Sequence, residues 1–278
     1  MTPVSVIVLT FNSAATIGAT LDSLAGLTDD VHVVDSGSTD ETRAIAAARG
    51  AKIVEHPFEN YGAQRNWAIA NLPLAHEWQL HLDADERLSP GLKEEIESIL
   101  SHRIHDAIGG FYIPRLVRFQ GRMIRRGGMY PIYHMRLFRT GRGRCEARKY
   151  DQHFQADGQT PKLVHPMIDD IRLSLTEWTA RHNRWADAEV DEILNPGGEG
   201  VIGPGSGDPV AEKRRARGLY YSAPMFLRAF ALFFYRYVLR RGFLDGKEGL
   251  IFYVLQTFWF RFLVDAKLHE RRKAAKKP

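Results

Sequence analysis

The sequence predicts an α/β protein in which a mostly parallel, helix-covered sheet is followed by a helical, aromatic-rich C-terminal appendage. Three observations carry that expectation. Over roughly the first hundred residues, apolar runs of strand length alternate with amphipathic helical runs, the order that builds βα units. The polar residues of this stretch gather where the strand-like runs end, in "TFN", "DSGSTD", "HPFENYG" and "DADER", at the rim where such sheets bind ligands. Roughly the last seventy residues then hold two long apolar segments rich in Phe, Tyr and Trp.

In chain order, "VSVIVL" reads as the first strand and "SAATIGATLDSL" as a helix with Asn12 or Ser13 as its cap. "VHVVD" is the second strand, and the helix "DETRAIAAARG" after it ends at Gly50. "KIVEH", the helical "YGAQRNWAIANL", the strand "WQLHL" and a helix from about Pro90 to His102 complete the alternation. From Gly109 the pattern changes to strand-like pieces, "GGFYIPRLVRF" and "HMRLFRT", around "QGRMIRRGGMYPIY", which reads as an edge-strand and loop region. Helix resumes near Ser174, where Trp178, His182 and Trp185 at helical spacing form a packing stripe. Residues 195–209 have the Gly/Pro composition of a flexible linker. "LYYSAPMFLRAFALFFYRYVL" is long enough to cross a bilayer but contains Arg228 and Arg236, each costing roughly 2.5–3.5 kcal/mol at a helix centre. The expected arrangement is a helix lying on a membrane surface, the alternative being two packed helices that cover the sheet.

A chain of 278 residues, 44% hydrophobic and 26% charged, has room for one large domain or for one domain and an appendage. Its single cysteine, Cys145, excludes an internal disulfide, and no basic, apolar leader precedes Val4. Both point to the cytoplasm. The net charge of +5 is modest, but "ERRKAAKKP" and "RRGF" concentrate positive charge beside the most apolar part of the chain. That suits an anionic membrane surface better than a nucleic-acid groove.

The stretch "WQLHLDADERLSP" ends a strand in Asp83, Asp85 and Glu86. Carboxylates this close repel, so water, basic side chains or a cation must offset them. Two acids spaced two apart at a strand end can hold a hard divalent cation that keeps open positions for phosphate. The alternative is a solvated acidic turn capping the helix at Pro90. In "VVDSGSTDET", Asp35 closes a strand, the following Gly37 and Ser38 allow close backbone approach, and Asp40 caps the next helix. An acid at Asp35 can accept from a base N–H or a ribose hydroxyl. "LTFNSAATIG" after the first strand is not GxGxxG, which argues against a nicotinamide dehydrogenase.

In that order, "SVIVLTFNSAATIGATLDSL", "VVDSGSTDET", "YGAQRNWA" and "LHLDADERLSP" resemble the nucleotide-sugar half of family 2 glycosyltransferases, which have the Rossmann-like GT-A fold with helices on both faces of the sheet. The nearest likeness is to the bacterial branch that adds glucose or a related hexose to lipopolysaccharide core or exopolysaccharide precursors, and it covers about the first 140 residues. The resemblance implies an inverting hexosyltransferase that uses a UDP-sugar donor, Mg2+ or Mn2+, and a lipid-linked saccharide acceptor at the inner face of the cell membrane. It implies that Thr10, Phe11 and Asn12 lie beside the uridine, that Asp35 holds the uracil ring with Ser36 and Gly37, and that Gln64, Arg65 and Asn66 lie by the nucleotide. Asp83, Ala84 and Asp85 would meet the diphosphate, Asp83 and Asp85 through the metal, with Glu86 near the sugar or bracing the loop.

For the base on the acceptor hydroxyl, the resemblance points to "RKYDQHFQADG", with Asp151 as the base and His153 as support or substitute; Asp169 and Asp170 in "LVHPMIDD" are alternatives. Arg115, Arg118, Arg136 and Arg139 read either as ligands of a phosphate-bearing acceptor or as solvent-facing charges along edge strands. The implied domains are 1–170 for nucleotide-sugar binding and catalysis, 171–194 as a connecting helix, 195–209 as linker and 210–278 as a membrane-surface helical region. Two other functions fit less of the sequence. A haloacid-dehalogenase-type phosphatase would use Asp83 as nucleophile but would open its domain with that strand, and an assembly subunit would keep the fold without turnover.

Overall fold

Strand β1 (Val4–Thr10) is buried along its whole length because helices cover both of its faces. Val4, Val6 and Val8 pack with Ile17 and Leu21 of α1 (Ile17–Asp22), Ala46 of α2 (Thr42–Ala47), and Leu92 and Ile96 of α4 (Pro90–Leu100). Ile7 and Leu9 turn the other way, onto Ala68 and Leu72 at α3 (Tyr61–Asn71). An unbroken apolar run is what a strand covered on both faces requires.

The computed structural model describes residues 1–146, 152–195 and 209–275. They form two units, one of residues 1–118, 131–146 and 152–172, the other of residues 119–130, 173–195 and 209–275. In the first, β2 (Val31–Asp35), β3 (Lys52–Glu55) and β4 (Trp78–Asp83) join β1 in parallel. The sheet then continues through strands the sequence reading had not paired. Its order is β3-β2-β1-β4-β8-β6-β11-β5, with β5 at Glu86–Leu88, β6 at Gly110–Phe119, β8 at Ile132–Arg139 and β11 at Met167–Ile171. The pairs β4–β8, β8–β6 and β11–β5 are antiparallel. The expected edge-strand region is thus interior to the sheet: β8 lies between β4 and β6, and Met135 to Arg139 are all buried. A hairpin of β9 (Gly143–Cys145) and β10 (Phe154–Ala156) packs Cys145 and Phe154 with Tyr112, Met135 and Phe138.

The second unit contains the short strand β7 (Arg122–Met123) and the helices after it. A capping box of Ser174 and Glu177 opens α5 (Leu175–Leu194). The first long apolar segment is not one helix. α6 (Pro209–Ser222) stops before Pro224, Phe226 takes a left-handed φ of 67°, and α7 (Leu227–Phe234) starts anew. After a 3-10 turn at Gly242–Asp245, α8 (Gly246–Tyr253) runs through a π-turn into α9 (Phe260–Ala274). The stretch Gly242–Ala274 is, by length and composition, apolar enough to cross a bilayer. It is nevertheless fastened to α5: Phe260, Val264 and Leu268 pack on Ala186 and Val190. Arg261 pairs with Glu189 and Lys267 with Asp187. Arg228, which counted against a membrane span, forms a buried pair with Asp265.

The Trp178 stripe is packing, as expected. Trp178 is buried and stacks on His182 at 3.4 Å, while His182 Nδ1 donates to the Trp178 carbonyl and Nε2 meets the Gln256 amide. Burial lowers the His182 pKa from 6.5 to about 4. An imidazole held neutral by the fold stabilises it fully above pH 6.5, and that stability is lost as pH falls toward 4. The expected loss is about 3 kcal/mol. Urea unfolding at pH 7 and pH 4.5 should show a steeper acid loss in the wild type than in His182→Phe; equal slopes would remove His182 as the cause.

Candidate functional site

The chain leaves β1 at Thr10 and β2 at Asp35, which face each other in the ladder. The loops that follow are laced together. Asp35 is buried and its carboxylate accepts from Gly37 N–H (3.0 Å), Ser38 N–H (2.8 Å) and Ser38 Oγ. The same hydroxyl of Ser38 accepts from Asn12 N–H at 2.8 Å, and Asn12 Oδ1 accepts from Thr39 N–H at 2.9 Å. Asn12 holds φ at 46° and Gly37 at 87°, conformations that Asn and Gly adopt more readily than other residues. Asp40 accepts from Ala14 and Thr42 backbone N–H groups. The side chain of Phe11 stands out from this rim, 58% exposed, while Thr10 Oγ1 is buried without a hydrogen-bond partner among the described residues.

Gln64 lies under the rim rather than in it. Its amide donates to Ser36 Oγ and the His56 carbonyl and meets His56 Nδ1. Asn66, also expected near the nucleotide, exchanges two hydrogen bonds with the backbone of Cys145. Gln64 ties α3 to the loops after β2 and β3, and Asn66 ties α3 to β9.

On the other side of β1, β4 ends at Asp83. Ala84 is buried and pinned at both backbone atoms: its N–H donates to the Leu9 carbonyl, and its carbonyl accepts from Thr20 Oγ1. Asp83 and Asp85 are therefore separated by a turn and do not sit two apart on one pleated strand, as the sequence spacing implied. Arg65, from α3, donates to both Asp83 oxygens at 3.0 and 3.2 Å, and Arg136, from β8, donates to Asp83 at 2.9 Å and to Glu86 at 2.6 Å. Glu86 also accepts from the Asp83 N–H, so it braces the turn. Burial alone would raise the Asp83 carboxyl, and the guanidiniums of Arg65 and Arg136 reverse this, holding it well below the usual carboxylate range. Glu86 is pushed upward by burial, against Arg136, with Asp83 and Asp169 adding to the rise.

Strand β11 delivers the two alternative acids to this turn. Asp169 is opposite Glu86 in the β11–β5 ladder and lies 3.4 Å from Arg115; the Asp170 N–H donates to the Asp85 carbonyl. The Asp170 carboxylate meets Arg87, Arg172 and Arg118 at 3.1, 2.9 and 3.7 Å. His153 is elsewhere, buried with its N–H on Glu146. Asp151 lies outside the described residues. The four arginines need a third reading, because neither of the two expected ones accounts for their partners: Arg115 and Arg118 pair with Asp169 and Asp170, Arg136 with Asp83 and Glu86, and Arg139 donates to the carbonyls of Ile104 and Ile108 and pairs with Glu77. The stretch "HMRLFRT" hid this, since both faces of β8 are covered.

A hard divalent cation takes six or more oxygen ligands. No group of three or more His, Cys, Asp or Glu side chains able to hold a metal occurs among the described residues. The Asp83 carboxylate is 30% exposed but engaged by Arg65 and Arg136, so a cation meeting it would take most of its ligands from a diphosphate and water. Asp83 and Asp85 do not fit a metal caged by protein alone.

Comparison with known proteins adds the following. The family model described as glycosyl transferase family 2 matches residues 5–155. The chain is 24% identical to LpsC, a lipopolysaccharide core biosynthesis glycosyltransferase of Rhizobium meliloti, over 99% of this chain and 95% of that one. It is 36% identical over 121 residues to an uncharacterized glycosyltransferase of Rickettsia typhi, a match that spans 44% of this chain and only 41% of that protein's length. A solved structure of glucosyl-3-phosphoglycerate synthase from Mycobacterium tuberculosis, in complex with Mg2+ and UDP, aligns over 42% of this chain and 44% of that chain with 24% identity and a TM-score of 0.34.

Removing Arg136 leaves the buried Glu86 without its cation and Asp83 with Arg65 alone. Arg136→Ala should destabilise the protein by about 3–5 kcal/mol in urea unfolding. A change below about 1 kcal/mol would contradict a structural role for this pair.

Proposed function

This chain belongs to glycosyl transferase family 2, and we propose that it transfers a hexose, glucose being favoured, from a UDP-sugar to a lipid-linked saccharide acceptor in bacterial lipopolysaccharide or exopolysaccharide synthesis. One observation carries the reading. The sheet order β3-β2-β1-β4 reverses direction at β1, so the crevice between the ends of β1 and β4 is the topological switch point where open α/β sheets bind ligands. Thr10 to Asn12 bound it on one side and Asp83 to Asp85 on the other. The name of the Rhizobium relative supports the polysaccharide setting.

In this reading the Thr10–Asn12 and Ser36–Gly37 backbones flank the uridine. Asp35 already accepts three hydrogen bonds, one fewer than a carboxylate's capacity, so its first task is to fix the loop that meets the base. Gln64 supports the same loop. Arg65 joins the diphosphate to the acidic turn, and Asp83 and Asp85 hold Mg2+ or Mn2+. When bound, the cation offsets charge on the leaving diphosphate.

Displacement by an acceptor hydroxyl at the anomeric carbon, with inversion, needs a base across the sugar from the diphosphate. Asp169 is our first candidate among the described residues, because β11 sets it beside Glu86 at the turn, whereas Asp170 is shared among arginines. Asp151 remains a candidate by resemblance, with His153 in a supporting place. The division into a catalytic region 1–170, a connecting helix 171–194, a linker 195–209, of which 196–208 lie outside the described residues, and a membrane-surface region 210–278, at the cytoplasmic side of the membrane, belongs to the same proposal.

Calorimetry of UDP-glucose with Mg2+ or Mn2+ tests the donor site. Cation-dependent binding is expected in the wild type and should be lost in Asp83→Asn and Asp85→Asn; UDP-glucose binding that ignores both substitutions and the cation would refute the clamp. With membrane-extracted lipid-linked saccharide as acceptor, Asp169→Asn should lower kcat by about 10²–10⁴ at unchanged UDP-glucose affinity. If Asp169→Asn keeps full kcat while Asp151→Asn loses it, the base is Asp151. A wild type that binds UDP-glucose but turns over no acceptor would favour an assembly subunit.

A further inference from the structure

In the second unit, apolar side chains that gain nothing by exposure to water are held outward beside cationic ones. α7 and the turn after it expose Leu227 (66%), Phe230, Phe234, Val238 and Leu239 (62%), at positions i, i+3, i+7, i+11 and i+12 of one helical face. The following turn exposes Phe243 and Leu244. Leaving such a side chain in water forgoes roughly 1.5–3 kcal/mol of burial.

The turn is built to present them. Arg241 takes a left-handed φ of 57°, Gly242 is buried where a Cβ would press on the Tyr253 ring, and Asp245 turns inward. The buried carboxylate of Asp245 accepts from Tyr253 OH at 3.0 Å and from the backbone N–H groups of Arg125 and Arg126 at 3.3 and 3.0 Å. Gly127 N–H donates to the Arg240 carbonyl. These bonds stitch the arginine-bearing segment 122–128 to the apolar turn. Arg122, Arg125, Arg126, Arg240, Arg241 and Lys247 are all exposed there, beside two acids, the buried Asp245 and the half-buried Glu248.

We propose that this composite of α7, the 239–244 turn and the 122–126 segment is the surface by which the protein lies on an anionic lipid bilayer, the turn entering the headgroup layer and the arginines meeting lipid phosphates. An apolar stripe ending in a cationic fringe is the arrangement of an in-plane interfacial element. A spanning role for the long helix is opposed by its ion pairs to α5. The proposal rests on the lipid-linked acceptor of the preceding section only for its purpose, not for its geometry.

The experiment is co-sedimentation of the full chain with phosphatidylcholine vesicles, with and without phosphatidylglycerol. Binding should require phosphatidylglycerol, fall roughly fivefold for each of Arg125→Ala and Arg240→Ala at low salt, and fall at least about tenfold in the Leu239→Ser, Phe243→Ser double variant. All of these residues are exposed, and unchanged far-UV circular dichroism confirms folding. Equal sedimentation of wild type and variants overturns the proposal. So does absence of vesicle binding together with a concentration-dependent dimer that the double variant abolishes, which would assign the face to a second copy. UDP-glucose binding measured on the same samples separates the two readings: vesicle binding without nucleotide binding sinks the transferase and leaves this surface standing, and the reverse sinks only the surface.

Discussion

A guanidinium almost wholly cut off from water, that of Arg136, holds the two halves of the central sheet to the same point. Charge this deeply buried is tolerated only when paired, and Arg136 is paired twice, with Asp83 at the end of the last parallel strand and with Glu86 at the start of β5. The pairing between β4 and β8 sets that distance, and the turn between Asp83 and Glu86 takes its shape from it. β11, which lines up on β5, inherits the position and brings Asp169 and Asp170 with it. Asp83 and Glu86 are therefore held together by basic side chains of the protein itself, and the turn between them is shaped without a metal.

The other wall of the crevice uses neutral hydrogen bonds to the same end. Asp35, Ser38 and Asn12 spend their polar atoms on neighbouring loop backbone, so the loops are ordered before any ligand arrives. Of the side chains on this wall, that of Phe11 projects into solvent.

Much of the parallel half was legible in the sequence. Apolar runs, polar strand ends and helix stops such as Gly50 follow from local physics, and they locate Asp35 and Asp83 at the ends of β2 and β4. The antiparallel half was not legible, for reasons that differ by residue. Arg136 and Arg139, three apart, point to opposite faces of a strand, but nothing within a few residues reports that β8 is interior or which strand will flank it. The ladder of Asp169 with Glu86 joins positions more than eighty residues apart, and the three-residue β5 is too short to leave a periodic signal. Gln64 and Asn66, expected beside a nucleotide, bond instead to His56, Ser36 and the Cys145 backbone, partners that depend on tertiary contacts.

Arg136 follows Glu86 by 50 positions in the chain, and this gives the pair an order in time. At a synthesis rate of roughly 5–20 residues per second, Asp83 and Glu86 leave the ribosome about 3–10 s before the arginine they share. Until then β4 can join β1 with Asp83 met by Arg65, yet Glu86 must stay hydrated, because sealing the turn would bury its charge uncompensated. Electrostatics thus disfavours closing the sheet on the β4 side before β8 arrives. The strand that closes it is the one that carries the counter-charge, so the crevice is completed only when β8 has docked.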